Sequence, residues 1–275
     1  MQLATSIEEL RAWRRGAPPT LGFVPTMGAL HEGHLDLARF ARSQNAAVVA
    51  SVFVNPLQFG EGEDLARYPR DLAGDREKLA ATGVDLLFAP EAQEIYPHGF
   101  STTIDVGSVG EGYEGALRPG HFRGVATVVG KLLHLVAPHR LYVGQKDAQQ
   151  SAVLRKLVRD LAYDCTVTIV PTVRETDGLA MSSRNIYLDE RERHAAPSLH
   201  RMLRRFLELV KTGEPLEIAR TKASTVLEAP GALDYLACVD AESFEPLQAL
   251  RSNAFVIAAA RFGRTRLLDN LWFPQ

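Results

Sequence analysis

Residues 46–54 read AAVVASVFV, a nearly unbroken apolar run rich in β-branched side chains. A strand of that kind has no face to give to water and must be covered on both sides, as strands of a parallel sheet are. Runs of similar character recur through the first 170 residues: LGFVPT (21–26), VDLLFAP (84–90), LYVG (141–144) and CTVTIV (165–170). Between them the apolar spacing changes to the helical period. Segment 31–43 gathers Leu35, Leu37, Ala38 and Ala41, and segment 71–82 directs Leu72 and Leu79 inward before stopping at Gly83. Segments 121–136 and 147–161 read as two more helices. At the start of the chain, SIEELRAWRRG is an amphipathic helix with Ser6 and Glu9 as a capping box. Strand and helix in alternation predict an α/β domain on a doubly wound parallel sheet.

The pattern changes after Pro171. A glycine-containing polar loop, RETDGLAMSSRN (174–185), leads into a charged helix over 189–210 that Pro197 should break or kink. A second helix follows near 215–228, then three strand-like pieces: ALDYLACVD (232–240), NAFVIAAARFG (253–263) and TRLLDN (265–270). Gly263–Arg264 suits a hairpin between the last two. The expected organisation is therefore a sheet domain over 1–172 and a smaller α+β domain over 173–275.

Composition narrows the function classes. The 275 residues carry 33 acids against 31 bases, a formal charge of −2, which argues against a broad nucleic-acid footprint. It leaves room for a small polyanion held by a few local cations. Cys165 and Cys238 form no CxxC, so neither a zinc knuckle nor a disulfide framework is offered. No apolar run approaches the roughly 18 residues that span a bilayer, and the first residues lack the basic-then-apolar order of a signal peptide. The expectation is a cytoplasmic protein with no membrane and no nucleic-acid partner.

A doubly wound sheet binds ligands beyond the carboxyl ends of its strands, and the loops there hold the unusual residues. Pro25 to His34 follows the first apolar run; Gly28 and Gly33 allow close backbone approach, and the next helix offers N–H groups to an anion. His31 and His34 share a face if helical. Three readings compete: zinc, which lacks a third ligand and a HExxH spacing; a surface pair; or imidazole donors to a nucleotide phosphate. No P-loop and no GxGxxG occurs. In GQKDAQQ (144–150), Lys146 could neutralise a phosphate and Asp147 accept from ribose hydroxyls, or Asp147 could cap a helix beside a solvated lysine. Met181, Ser182, Ser183 and Arg184 suit a polyphosphate, or a solvated loop. Gln58, among apolar neighbours in FVNPLQF (53–59), could donate to and accept from a substrate with hydroxyl and carbonyl groups, or be satisfied by the main chain. Arg118 to Gly124 could be a cationic lid or a turn with a helix cap.

The segments PTMGALHEGH, FVNPLQF, EGALRPGHFRGVATVV, GQKDAQQ, DGLAMSSRN and AARFGRTRLLDN, in this order, resemble the pantothenate synthetase (pantoate–β-alanine ligase) family. That family sits in the nucleotidyltransferase and class I aminoacyl-tRNA synthetase-like superfamily, whose His-x-Gly-His and Lys-Met-Ser-Lys-Ser motifs the first and fifth segments resemble. The match spans nearly the whole chain, with 191–230 carrying little of it. The resemblance implies a Rossmann-like fold and an ATP-dependent ligation through pantoyl adenylate, with magnesium on the ATP phosphates and no metal ligand from protein side chains. It implies that Met27, Gly28, Ala29, Leu30, His31, Glu32, Gly33 and His34 line the ATP site, with Gly144, Gln145, Lys146, Asp147, Val173, Met181, Ser182, Ser183 and Arg184. His34, His31, Lys146 and Arg184 would be catalytic. Gln58 would bind pantoate and lie near β-alanine, Gln150 would bind pantoate, and Asn55 is a further candidate. A homodimer is implied, and the two domains would close on ATP binding. The rivals are a nucleotidyltransferase acting on a phosphate ester, a silent nucleotide-binding regulator and a truncated aminoacyl-tRNA synthetase.

Overall fold

A computed structural model describes residues 1–60 and 62–274. Their contacts divide the chain into two units, one of residues 1–144 and 153–170, the other of residues 145–152 and those from Pro171 onward.

In the first unit the strands are β1 (Gln2–Ala4), β2 (Leu21–Thr26), β3 (Ala47–Val52), β4 (Leu86–Phe88), β5 (Arg140–Gly144) and β6 (Thr166–Val170). They pair throughout in parallel, in the order β1-β4-β3-β2-β5-β6. The apolar run at 46–54 supplies β3, whose Val48, Val49 and Ala50 are fully buried, as a strand covered on both faces must be. The helices are α1 (Ile7–Arg15), α2 (Glu32–Gln44), α3 (Leu72–Ala81), the single turns α4 (Ala92–Ile95) and α5 (Glu114–Leu117), and α6 (His121–Val136). The next helix, α7 (Ala148–Asp160), begins among the residues that group with the second unit. Leu35, Ala38 and Ala41 of α2 pack with Leu79 of α3 over Val24, Val48, Ala50 and Leu87 of the sheet. α1 has the Ser6–Glu9 capping box and ends at Gly16.

Two details differ from the periodicity. β1 pairs with β4 yet is three residues long, too short to register as a strand pattern. Leu72 does not point inward: it is 40% exposed. It is the first residue of α3, where a side chain leans past the helix end, and Asp75 takes the inward position on the next turn.

The sheet reverses its winding between β2 and β5. From β2 the strands run outward through β3 and β4 on one side and through β5 and β6 on the other. The crevice beyond the carboxyl ends at such a reversal is where open α/β sheets bind ligands.

In the second unit Pro197 divides the charged segment into α8 (Glu190–Ala195) and α9 (Ser198–Lys211), and α10 (Leu216–Ser224) follows. β7 (Gly231–Asp240), β8 (Ala254–Phe262) and β9 (Thr265–Phe273) form an antiparallel sheet in chain order, with Gly263 at φ +57° in the β8–β9 hairpin. Leu199, Met202, Leu203 and Phe206 of α9 bury one face against Val256, Ala258 and Ala260 of β8. Each such side chain contributes about 1.5–3 kcal/mol relative to exposure. Among the described residues no helix is long and apolar enough to cross a membrane.

Candidate active site

The loop that leaves β2 is held by a carboxylate far away in the sequence. Gly28 has φ +87°, and a Cβ there would stand 2.9 Å from Asp75 Oδ2, so only glycine lets the chain pass this close. The N–H of Ala29 donates to Asp75 Oδ2 at 2.9 Å and that of Leu30 to Oδ1 at 2.8 Å. Lys78 Nζ donates to the Leu30 carbonyl at 2.9 Å. Asp75 and Lys78, three apart on α3, thus grip the loop from one face.

The loop delivers His31 to the N-cap of α2. The Gly33 N–H donates to His31 Nδ1 at 3.2 Å, and the His31 N–H to His34 Nδ1 at 3.4 Å. An Nδ1 that accepts leaves the proton on Nε2, so both rings carry their donor on the far nitrogen. Their centroids are 4.1 Å apart, and both side chains are half-buried. Two adjacent Nε2–H donors at a helix N-terminus favour a negatively charged group.

Beyond β3 a single turn, Pro56–Gln58, is capped by Asn55, whose Oδ1 accepts from the Leu57 N–H at 3.3 Å. Asn55 and Gln58 are both buried. Gln58 Nε2 lies 2.9 Å from Met27 Sδ, which links this turn to the His31–His34 loop. α6 packs on the turn so tightly that a Cβ at Gly124 would fall 2.2 Å from the Leu57 carbonyl oxygen. His121, at the start of α6, donates from Nδ1 to the Gln58 carbonyl at 2.8 Å. Its Nε2 faces Arg118 Nη1 at 3.1 Å and must accept, so the ring is neutral. Burial, with the Arg118 charge, pushes its pKa down to about 4. Arg118 donates twice to Glu63, at 2.8 and 2.7 Å, and these hydrogen bonds hold the Glu63 carboxyl below its usual range. The Arg118–Gly124 segment is therefore a helix start, with Gly120 left-handed at the cap, rather than a loose cationic lid.

In the second unit Asn270 of β9 donates from Nδ2 to the carbonyls of Gln145 and Lys146, both at 2.9 Å, and accepts from Gln145 Nε2 at 3.1 Å. Lys146 Nζ lies 3.8 Å from Asp147, and the Asp147 carbonyl accepts from the Ser151 N–H as α7 begins. Residues 173–181 form a tight hairpin: Arg174 bridges Ala180, and the Met181 N–H donates to the Val173 carbonyl at 3.0 Å. Arg174 makes a two-bond pair with Asp269, at 2.7 and 2.8 Å, and reaches the Gly178 carbonyl at 3.1 Å. His200 Nδ1 stands 3.2 Å from the same carboxylate. Burial alone would raise the Asp269 carboxyl, but the hydrogen bonds and charges of His200 and Arg174 outweigh it and hold it low. Ser182 caps the turn Ser183–Tyr187 by accepting from the Arg184 N–H at 3.3 Å. Lys146, Ser182, Arg184, His200, Arg266 and Asp269 line one cavity within this unit. The chemistry of that wall, cations and a hydroxyl over a buried ion pair, suits phosphate oxygens.

Of the candidate residues read from sequence, the first unit brings together Met27 to His34 with Asn55 and Gln58, and Gly144 ends β5. The second unit brings Lys146 to Ser182 and Arg184; Gln150 is half-buried on the first turn of α7. Sequence reasoning missed Asp75, Tyr96, Arg174, His200 and Asn270. Arg174 and Asn270 lay inside segments already singled out, but nothing local marked them. Both cysteines are free, and burial pushes their thiols up to about 11, so neither supplies a thiolate near neutral pH.

A parallel sheet that reverses its winding beside a helix N-terminus with two imidazole donors marks a nucleotide-handling α/β enzyme of the nucleotidyltransferase-like class. Within that class the family is specific. A family-wide sequence model described as pantoate-beta-alanine ligase matches residues 2–272, and the chain belongs to that family. It is 51% identical to the pantothenate synthetase of Heliobacterium modesticaldum, over 98% of this chain and 99% of that one. A crystal structure of pantothenate synthetase from Thermus thermophilus superposes with a TM-score of 0.94 at 50% identity, covering 100% of both chains. That of a Francisella tularensis pantoate-beta-alanine ligase, complexed with beta-gamma ATP and beta-alanine, gives 0.82 at 35% identity, over 99% of this chain and 97% of that one.

Proposed function

We propose that the chain condenses (R)-pantoate with β-alanine at the expense of ATP, by way of pantoyl adenylate, in the biosynthesis of pantothenate and coenzyme A. The pantoate carboxylate attacks the α-phosphorus of ATP and the bond to pyrophosphate breaks. The β-alanine amine then attacks the acyl carbon, AMP leaves, and the nitrogen gives up a proton. Activation is required because a free carboxylate is a poor acyl donor. The protein's part is positioning and stabilisation of developing charge.

The observation that carries the reading is the pair of Nε2–H imidazoles at the start of α2. In this reading His34, with His31, donates to phosphate oxygens as charge builds in the first step. Met27 to Gly33 line the nucleotide through the backbone. Lys146 and Arg184 counter phosphate charge, Asp147 accepts from the ribose, and Gly144, Gln145, Val173, Met181, Ser182 and Ser183 complete the ATP contacts. Gln58 and Gln150 bind pantoate, Gln58 also lies near β-alanine, and Asn55 supports Gln58. Magnesium belongs on the ATP phosphates: it takes several oxygens from water and substrate and few from protein. Among the described residues no group of three or more His, Cys, Asp or Glu side chains could hold an ion by itself. Bound there, the ion would neutralise phosphate charge. A cytoplasmic homodimer completes the reading, and light scattering should return twice the chain mass of 30.2 kDa.

The test follows pyrophosphate and AMP separately. With ATP, magnesium and pantoate, pyrophosphate should appear in a burst near one equivalent of sites, without AMP. Adding β-alanine should then release AMP and sustain turnover. Sustained pyrophosphate release that never yields AMP and is indifferent to β-alanine would favour a nucleotidyltransferase, whose product keeps the adenylyl group. No pyrophosphate at all would favour a silent nucleotide-binding protein.

A further inference from the structure

The amide of Asn55 is 1% exposed, and the main chain fixes its polarity at both ends. One end faces the Gly124 carbonyl at 3.1 Å, which can only accept, so that end is Nδ2. The other accepts from the Leu57 N–H at 3.3 Å, which can only donate, so it is Oδ1. The remaining Nδ2 hydrogen goes to Gln58 Oε1 at 3.0 Å. Gln58 is 7% exposed, and turning its amide over would set two NH2 groups against each other. Its NH2 is thereby directed away from Asn55, towards the Met27 thioether, a weak acceptor for a buried donor.

Tyr96 completes this arrangement. Its hydroxyl donates to Asn55 Oδ1 at 2.7 Å, shorter than the Leu57 bond to the same atom. Its ring packs near Phe53 and Phe100, with centroids 6.1 and 4.9 Å away. We propose that Tyr96 is a positioning residue: it steadies the Asn55 amide, whose polarity the main chain sets, and with it the Gln58 amide as a donor, so that the ligand group met there is an acceptor oxygen of a carboxylate or hydroxyl. An amine is disfavoured at this position because the Gln58 oxygen is turned to Asn55 and the group facing the ligand is itself a donor. The identity of the ligand rests on the reaction proposed above; the polarity of Gln58 does not.

Tyr96→Phe removes one hydroxyl and keeps the ring. In the pyrophosphate assay, KM for pantoate should rise about 3- to 10-fold, the effect of one hydrogen bond. KM for ATP and the melting temperature should stay near wild type. Asn55→Asp, which puts an oxygen against Gln58 Oε1 and turns the amide over, should raise KM for pantoate further. In the ligand-free protein, the Gln58 side-chain NH2 resonances, assigned by their loss in Gln58→Glu, should move in Tyr96→Phe. With an active wild type, an unchanged pantoate KM, or an equal rise in ATP KM, overturns the role. If the wild type releases no pyrophosphate with pantoate, the reaction is refuted, and the resonances alone decide: NH2 signals unmoved in Tyr96→Phe overturn the proposal.

Discussion

Four histidines serve three purposes, set by what each ring nitrogen faces. His31 and His34 accept main-chain N–H groups at Nδ1 and keep Nε2–H as a donor; His121 does the reverse, donating from Nδ1 and accepting at Nε2; His200 turns Nδ1 to a buried carboxylate. The spacing of His31 and His34 was visible in the sequence, but the nitrogen carrying the proton was not, because backbone groups decide it. If His34 donates to a phosphate oxygen as charge develops, His34→Ala should slow single-turnover pyrophosphate formation by roughly 10²–10³-fold, the range for one oxyanion donor. His34→Gln, which can restore an N–H at similar reach, should recover part of that loss. A near-normal rate in the alanine variant would remove His34 from the step.

At the scale of elements, α3 acts on the β2–α2 loop through a single carboxylate. Asp75→Asn keeps the shape but replaces one acceptor with an NH2 facing the N–H of Ala29 or Leu30. One buried N–H is left unpaired, a cost of about 1–3 kcal/mol. The loop should loosen, so KM for ATP should rise while KM for pantoate changes little; equal values for variant and wild type would show that the loop holds itself. The elements themselves were largely legible. Apolar runs such as 46–54 suit covered strands, Pro197 suits a break or kink in a helix, and Gly263 suits a hairpin. β1 escaped because three residues carry no period, and Leu72 misled because a helix's first residue need not follow its inward stripe. The candidate loops were legible where glycine, histidine and lysine cluster locally. Their supports were not: Asp75 meets Ala29 from 46 residues away, and Asn270 meets Gln145 from 125. Such pairings are made by the fold, and no local pattern encodes them.

At the scale of the whole molecule, a chain of two units need not unfold in one step, and its two tryptophans separate them: Trp13 lies in α1, Trp272 in β9. His121, in the first unit, titrates near 4 when folded against an ordinary 6.5. Between those values the unfolded chain binds a proton that the folded unit refuses, so stability is complete above 6.5 and is lost as pH falls toward 4. From pH 7 to pH 5 the loss from this group is roughly 2 kcal/mol, or on the order of 1 M urea in midpoint. In the second unit the Asp269 carboxyl is held below its ordinary 3.8, so its contribution is present above that value and lost only as pH falls further. Urea unfolding of Trp272→Phe, followed by Trp13 fluorescence, should therefore weaken between pH 7 and pH 5. His121→Asn, whose amide can still donate to the Gln58 carbonyl and does not titrate, should flatten that slope. A Trp13 midpoint that is constant from pH 7 to pH 5 in the histidine protein would mean that His121 accepts its proton within the folded unit, and that burial beside the Arg118 charge does not hold the ring neutral.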